Sequence, residues 1–303
     1  MKQPPFGGCE PPKRSRRTIG LVADATEHLR AAARRVVETA LERVPVRAAL
    51  LAGSAGRGDA DFYSDLDLLL YVDELPEEDV LDTIRATAGG GEPRRRGSTE
   101  HFRGEEFDLD GIRTEISFVT VARVEWRLEQ LRDRPEEVDE AIQKVHLGIL
   151  EGLPLHGSDL VDEWRTRLRD YPDSLRRHTI ERHWSFLPLW YYGHAIELRD
   201  AELWRLDALL DGAFNLLRVL AALNRLYFAR AEFKRMRALV AQMTVAPPDL
   251  PERLESLFRV EPAAAAGELG RLLEETRALV TAQLPDLELP LEHPPGTRQQ
   301  PWG

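Results

Sequence analysis

Leu50-Leu51-Ala52-Gly53-Ser54-Ala55-Gly56-Arg57-Gly58-Asp59-Ala60-Asp61-Phe62-Tyr63-Ser64-Asp65-Leu66-Asp67-Leu68-Leu69-Leu70-Tyr71-Val72 decides how the chain is read. An apolar run ends in Gly-Ser, a small polar segment follows, and Asp65-Leu66-Asp67 opens a second apolar run. The run from Leu66 to Val72 predicts a strand. Residues two apart on a strand share a face, so Asp65 and Asp67 project together. Two carboxylates at the start of a buried strand are costly unless a cation neutralises them. Such oxygen donors are what a magnesium site for phosphoryl or nucleotidyl transfer requires. Gly53-Ser54 begins a turn or short helix whose N–H groups face an anion.

Before this stretch, residues 19–44 carry apolar positions at helical spacing, and Pro45 ends that helix. Val46 to Ala52 predicts the first strand and Leu66 to Val72 the second. Glu77 to Thr87 predicts a helix closed by Gly89-Gly90-Gly91. Two more strands are expected, Phe102 to Leu109 and Arg113 to Val121, joined by a hairpin turn at Asp110-Gly111. Glu115 stands at the edge of the latter. Beyond Val121 the pattern is helical throughout, near 122–133, 136–151, 158–170, 174–198, 201–229, 231–243, 249–258 and 265–283. The expected fold is α+β: a small mixed sheet followed by an all-helical bundle. The expected boundaries are a disordered tail over 1–18, a catalytic domain over 19–122, a helical domain over 123–284 and a Pro-rich tail over 285–303.

The Gly-Ser, the ten residues Ala55 to Ser64 and the Asp-Leu-Asp that follows resemble the signature of the polymerase-β-like nucleotidyltransferase superfamily. The detail Gly-Ser-x-x-Arg-Gly…Ser-Asp-x-Asp is similar to its small-molecule branch, which includes the aminoglycoside nucleotidyltransferases. The resemblance implies that Gly53 and Ser54 cradle a triphosphate and that Asp65 and Asp67 hold magnesium, two ions in all, with ATP or another NTP as co-substrate. It also implies a third carboxylate on a strand beside the Asp-x-Asp strand, and Glu115 matches that position. Asp108 shares its face only if the register suits, and Asp110 belongs to the turn.

The chain has 303 residues with 43% hydrophobic content, and it contains no apolar run of membrane-spanning length. Its single cysteine, Cys9, allows no intramolecular disulfide, so a cytoplasmic location is expected. The formal charge of −11 tilts against a nucleic-acid partner, whose phosphates demand a basic face, and toward a small, cationic acceptor. Lysine is rare, with Lys2, Lys13, Lys144 and Lys234 alone, which makes Lys234 in a folded region more informative. Arg57 either contacts the triphosphate or pairs with acids such as Asp59 and Asp61. Asp207, Asp211, Asn215, Arg218 and Arg225 form a polar stripe at helical spacing, either a solvated face or a wall from which Asn224 or Lys234 reaches phosphates.

The expected activity is transfer of a nucleoside monophosphate, AMP from ATP, to a hydroxyl of a small and aminoglycoside-like molecule. Asp65, Asp67 and Glu115 are then the metal-binding and catalytic residues, and Gly53, Ser54, Arg57 and Lys234 bind the nucleotide. The general base is left between Glu115 and a helical acid such as Glu181. Two other readings stay open: a toxin-type enzyme that modifies a protein or tRNA, and a nucleotide-binding regulator without turnover. No membrane partner is expected, and the oligomeric state, a homodimer included, is not fixed.

Overall fold

The computed structural model describes residues 24–189, 192, 199 and 201–290, together with the backbone of 16–23. The parts at 1–15 and 291–303 of the tails expected over 1–18 and 285–303, and the parts at 190–191 and 193–198 of the helix expected over 174–198, lie outside the described residues. The fold is α+β, and the chain divides into two units. The first comprises residues 1–128 and 148–168, the second 129–147 and 169–303.

The first unit is built on a six-stranded mixed sheet. Its strands are β1 (Val46–Leu51), β2 (Leu66–Val72), β3 (Arg95–Thr99), β4 (Phe102–Leu109), β5 (Ile112–Thr120) and β6 (Leu153–His156). They lie in the order β3-β4-β5-β2-β1-β6, with β2 and β5 parallel and every other neighbouring pair antiparallel. The helices that lie in this unit wholly or in part are α1 (Arg16–Leu41), the short α2 (Gly53–Arg57), α3 (Glu78–Ala88), α4 (Val121–Asp133), α5 (Glu140–Glu151) and α6 (Ser158–Arg169); the chain passes into the second unit after Leu128 of α4 and returns at Gly148 of α5.

Alternation along β2 fixes which face is buried where. Leu66, Leu68, Leu70 and Val72 join Leu51, Ile116 and Phe118 in a core with Ala33, Val36 and Ala40 of α1 and Leu81 and Ile84 of α3. Asp67, Leu69 and Tyr71 therefore point to the opposite face. There Tyr71 meets Trp164 of α6 edge-on, with ring centroids 4.8 Å apart. Parallel pairing of β2 with β5 needs a long crossover, supplied by α3, β3 and β4.

The hairpin turn falls where the sequence puts it. Asp110 and Gly111 both take positive φ, +54° and +83°, the combination a two-residue primed turn requires. The turn pins Leu109 opposite Ile112 and hence Glu106 opposite Glu115. Two edge strands differ from the sequence reading. Leu153–His156 was expected to link helices. It is a four-residue strand with Pro154 inside it, tolerable because β6 pairs on one side only. β3 is exposed at every residue and so has no apolar period to read.

The second unit is helical: α7 (Asp173–His183), α8 (Glu202–Leu223), α9 (Met236–Val240), α10 (Leu250–Ser256) and α11 (Pro262–Gln283). Leu209, Leu216 and Leu220 of α8 share a core with Ile180 of α7 and with Leu269, Leu272 and Leu273 of α11. The helix expected over 201–229 stops at Leu223, because Arg225 turns to φ +58°. Among the described residues, no helix is long and apolar enough to cross a membrane.

One charged pair is buried in the first unit. Arg85 of α3 donates from Nε to Glu105 Oε1 at 3.1 Å, and the Glu105 side chain is almost wholly buried. Burial pushes the Glu105 carboxyl up, against the pull of Arg85 and Arg96. Removing one partner strands a charge. Arg85→Met is expected to cost about 3–5 kcal/mol in urea denaturation, whereas Arg85→Met with Glu105→Leu recovers most of it. Equal losses in the single and double variants would contradict this.

Candidate active site

The site is assembled where β1 ends beside the start of the antiparallel β2. Ala52 donates its N–H to the Asp67 carbonyl at 2.9 Å, so the residue after β1 lies against the second acid of the Asp-Leu-Asp. Gly53 then turns with φ +65°. A Cβ there would sit 2.6 Å from Asp67 Oδ2, closer than any real contact allows. The position is glycine for two reasons: the left-handed backbone, and the approach of a carboxylate to the main chain.

Ser54 is the second residue of α2, and its hydroxyl donates to Ser64 Oγ at 2.9 Å. Ser64 in turn accepts from the Asp61 N–H, while Asp61 Oδ1 accepts from the Tyr63 N–H, both at 2.9 Å. The loop between the two halves of the motif is thus folded back onto Ser54. It carries Phe62 and Tyr63 almost fully exposed, in edge-to-face contact. From α1, Arg30 donates to the carbonyls of Ala55 and Gly56, each at 3.1 Å, and so fixes α2.

The carboxylates form a row. Asp67 of β2 stands in register with Glu115 of β5, and Glu115 stands opposite Glu106 of β4. Residues in register on neighbouring strands share a face, so three acids line one side of the sheet. Asp65 lies just before β2. Like charges side by side are unfavourable, and Arg113, two residues before Glu115, offsets them. Its Nη2 donates to Glu106 Oε2 at 2.9 Å, and its Nη1 lies 3.8 Å from Asp65 Oδ2. Arg113 holds the Glu106 carboxyl below the usual carboxylate range.

Of the residues expected at the site, Gly53, Ser54, Asp65, Asp67 and Glu115 come from adjoining turns and strand ends of the first unit. Asp108 does share the face of Glu115, two pairs nearer the turn, but it accepts from the Gly111 N–H at 2.9 Å and belongs to the turn. Arg57 makes ion pairs with Asp59 at 3.3 Å and Glu151 at 3.6 Å. Lys234 is exposed on a 3-10 turn of the second unit, Arg230–Arg235. Asn224 does not reach outward: its amide bonds the Leu220 and Val245 carbonyls and the Thr244 and Val245 N–H groups, which locks a loop. Glu106, Arg113 and Arg30 were missed. The first two were legible, since a two-residue turn at Asp110-Gly111 dictates the pairing of 106 with 115.

Among the described residues, no three His, Cys, Asp or Glu side chains converge closely enough to hold a metal alone. The donors present still suit magnesium, which binds through one or two carboxylates plus substrate phosphates and water rather than in an all-protein cage. Asp65, Asp67 and Glu115 are hard oxygen donors, and the bare Gly53 backbone lets the Asp67 carboxylate lie close against the main chain.

Residues 33–159 match the family model described as a nucleotidyltransferase domain. The span runs from within α1 to α6, includes β6, and contains every residue of the row described above. The match supports nucleotidyl transfer as the class of chemistry. The chain also has a likeness to a crystal structure described as a nucleotidyltransferase-like protein from Exiguobacterium sibiricum 255-15. The two are 12% identical, with 86% of this chain and 75% of that chain covered, at a TM-score of 0.39. No curated protein matches the chain significantly.

The Gly53 contact yields a direct test. Gly53→Ala adds a Cβ in a left-handed conformation, which costs about 1–2 kcal/mol, and it also displaces the Asp67 carboxylate. The expected result is a lowered melting temperature and loss of ATP binding in the presence of Mg2+ by calorimetry. Wild-type binding by this variant would show that the approach of Gly53 to Asp67 is incidental.

Proposed function

We propose that the first unit is a magnesium-dependent nucleotidyltransferase that moves AMP from ATP to a hydroxyl of a small, cationic acceptor. The observation that carries this reading is the register of Asp67 with Glu115, with the Gly53 backbone set against the Asp67 carboxylate. Gly53 and Ser54 supply backbone N–H donors to the β- and γ-phosphates, and Asp65, Asp67 and Glu115 supply the oxygens for two magnesium ions. Magnesium, when bound with the triphosphate, acidifies the acceptor hydroxyl and neutralises the departing pyrophosphate. Ser64 keeps the loop folded onto Ser54, so the phosphate turn and the carboxylates stay in fixed relation.

The exposed rings of Phe62 and Tyr63, beside Asp65, offer flat apolar surfaces for the base or the acceptor ring. Acid is concentrated along the same face at Asp65, Asp67, Glu115 and Glu106, which favours an acceptor bearing positive charge, an aminoglycoside-like polyamine among them. Arg57, committed to Asp59 and Glu151, is assigned to stiffening the loop rather than to the triphosphate.

The reading is tested by incubating the protein with each labelled NTP, Mg2+ and a panel of hydroxylated amines, and identifying adducts by mass. An AMP adduct with pyrophosphate release is expected. Asp65→Asn or Asp67→Asn should lower turnover by more than about 10²-fold while melting is unchanged. Near-wild-type turnover in either variant would overturn the assignment.

A further inference from the structure

The acidic face already contains a cation supplied by the chain. Arg113 projects from the same side of β5 as Glu115, and its two ends are held differently. The contact to Glu106 is a hydrogen-bonded ion pair at 2.9 Å, and the Glu106 side chain is only 13% exposed. The contact to Asp65 is longer, 3.8 Å, and both side chains there are about half exposed, 53% for Arg113 and 49% for Asp65. An exposed pair at that distance is weak. Glu106 is therefore the anchor, and Asp65 is the end that a stronger cation can take over.

We propose that Arg113 is a positioning residue that acts as the resident counter-cation of Asp65 and competes with the metal for it, with Glu106 as the tether that limits that competition. The proposal rests on the reading that Asp65 and Asp67 hold the metal. In the free protein, the guanidinium holds the Asp65 carboxylate on the side of the acidic row and relieves its repulsion. A divalent ion arriving with the nucleotide takes Asp65, and Arg113 stays on Glu106, clear of the metal. Arg95 lies opposite Glu106 on β3 and places an equal charge on the far side of it, away from Asp65.

Competition and tethering have opposite signatures. Without Arg113 the metal meets no rival at Asp65. Without the Glu106 carboxylate, Arg113 is freed to close on Asp65. The test measures binding of Mn2+ alone to the full chain, without nucleotide, by electron paramagnetic resonance of the free ion, with melting recorded for each variant. Arg113→Gln is expected to tighten Mn2+ by about threefold or more, and Arg113→Lys to stay near wild type. Glu106→Gln is expected to weaken it. Arg95→Gln, a charge loss remote from Asp65, is expected to leave it unchanged. Asp65→Asn serves as the control and weakens Mn2+ in every background. If Asp65→Asn leaves Mn2+ affinity unchanged, the metal reading itself fails. If Asp65→Asn weakens binding but Arg113→Gln fails to tighten it, or Arg95→Gln tightens it equally, the competitive role of Arg113 is overturned while the metal reading stands.

Discussion

The parallel pairing of β2 with β5 is the constraint on which the site depends. Side chains on a strand alternate, so a slip of one residue would send Glu115 to the helix-covered core and bring Thr114 beside Asp67. The register is held from both sides. On the core face, Leu66, Leu68, Leu70, Ile116 and Phe118 are all fully or almost fully buried and leave no alternative phase. From the other direction, the Asp110-Gly111 turn fixes β5 against β4. Hydrophobic burial on one face thus positions carboxylates on the other.

The cost of that arrangement is electrostatic, and the chain offsets it locally. A row of acids on adjacent strands is unfavourable without a cation. Arg113 supplies one between Glu106 and Asp65, and Arg57 does the same for Asp59 and Glu151. The balance is different inside the core, where Glu105 is held by Arg85 and Arg96 on the opposite face of β4. Consecutive acids of one strand, Glu105 and Glu106, therefore serve different ends: one belongs to a buried structural pair, the other is the half-buried partner of Arg113 on the face of the site.

Much of this was legible in the sequence because the site is local. Gly53, Ser54, Asp65 and Asp67 lie within one strand-turn-strand segment, where alternation and glycine requirements act over a few residues. The third acid was readable because β5 has an apolar phase and a strong turn before it. Glu106 follows from the same turn by counting back across the hairpin. What could not be read is what depends on distant packing. Arg30 reaches α2 from 25 residues away. β6 is too short and too interrupted by proline to show a period, and β3 has no apolar face at all. In the helical unit, Asn224 carries a polar signature that suits a ligand equally well, and its partners at Thr244 and Val245 are invisible to periodicity.

The proposed chemistry depends on where a metal and a triphosphate would sit. The most direct measurement is a crystal structure of the full chain grown with Mn2+ and a non-hydrolysable ATP analogue, with manganese located by its anomalous signal. The expected result is manganese between the carboxylates of Asp65 and Asp67, with the β- and γ-phosphates against Gly53 and Ser54. Manganese bound elsewhere, or a triphosphate remote from Gly53, would contradict it.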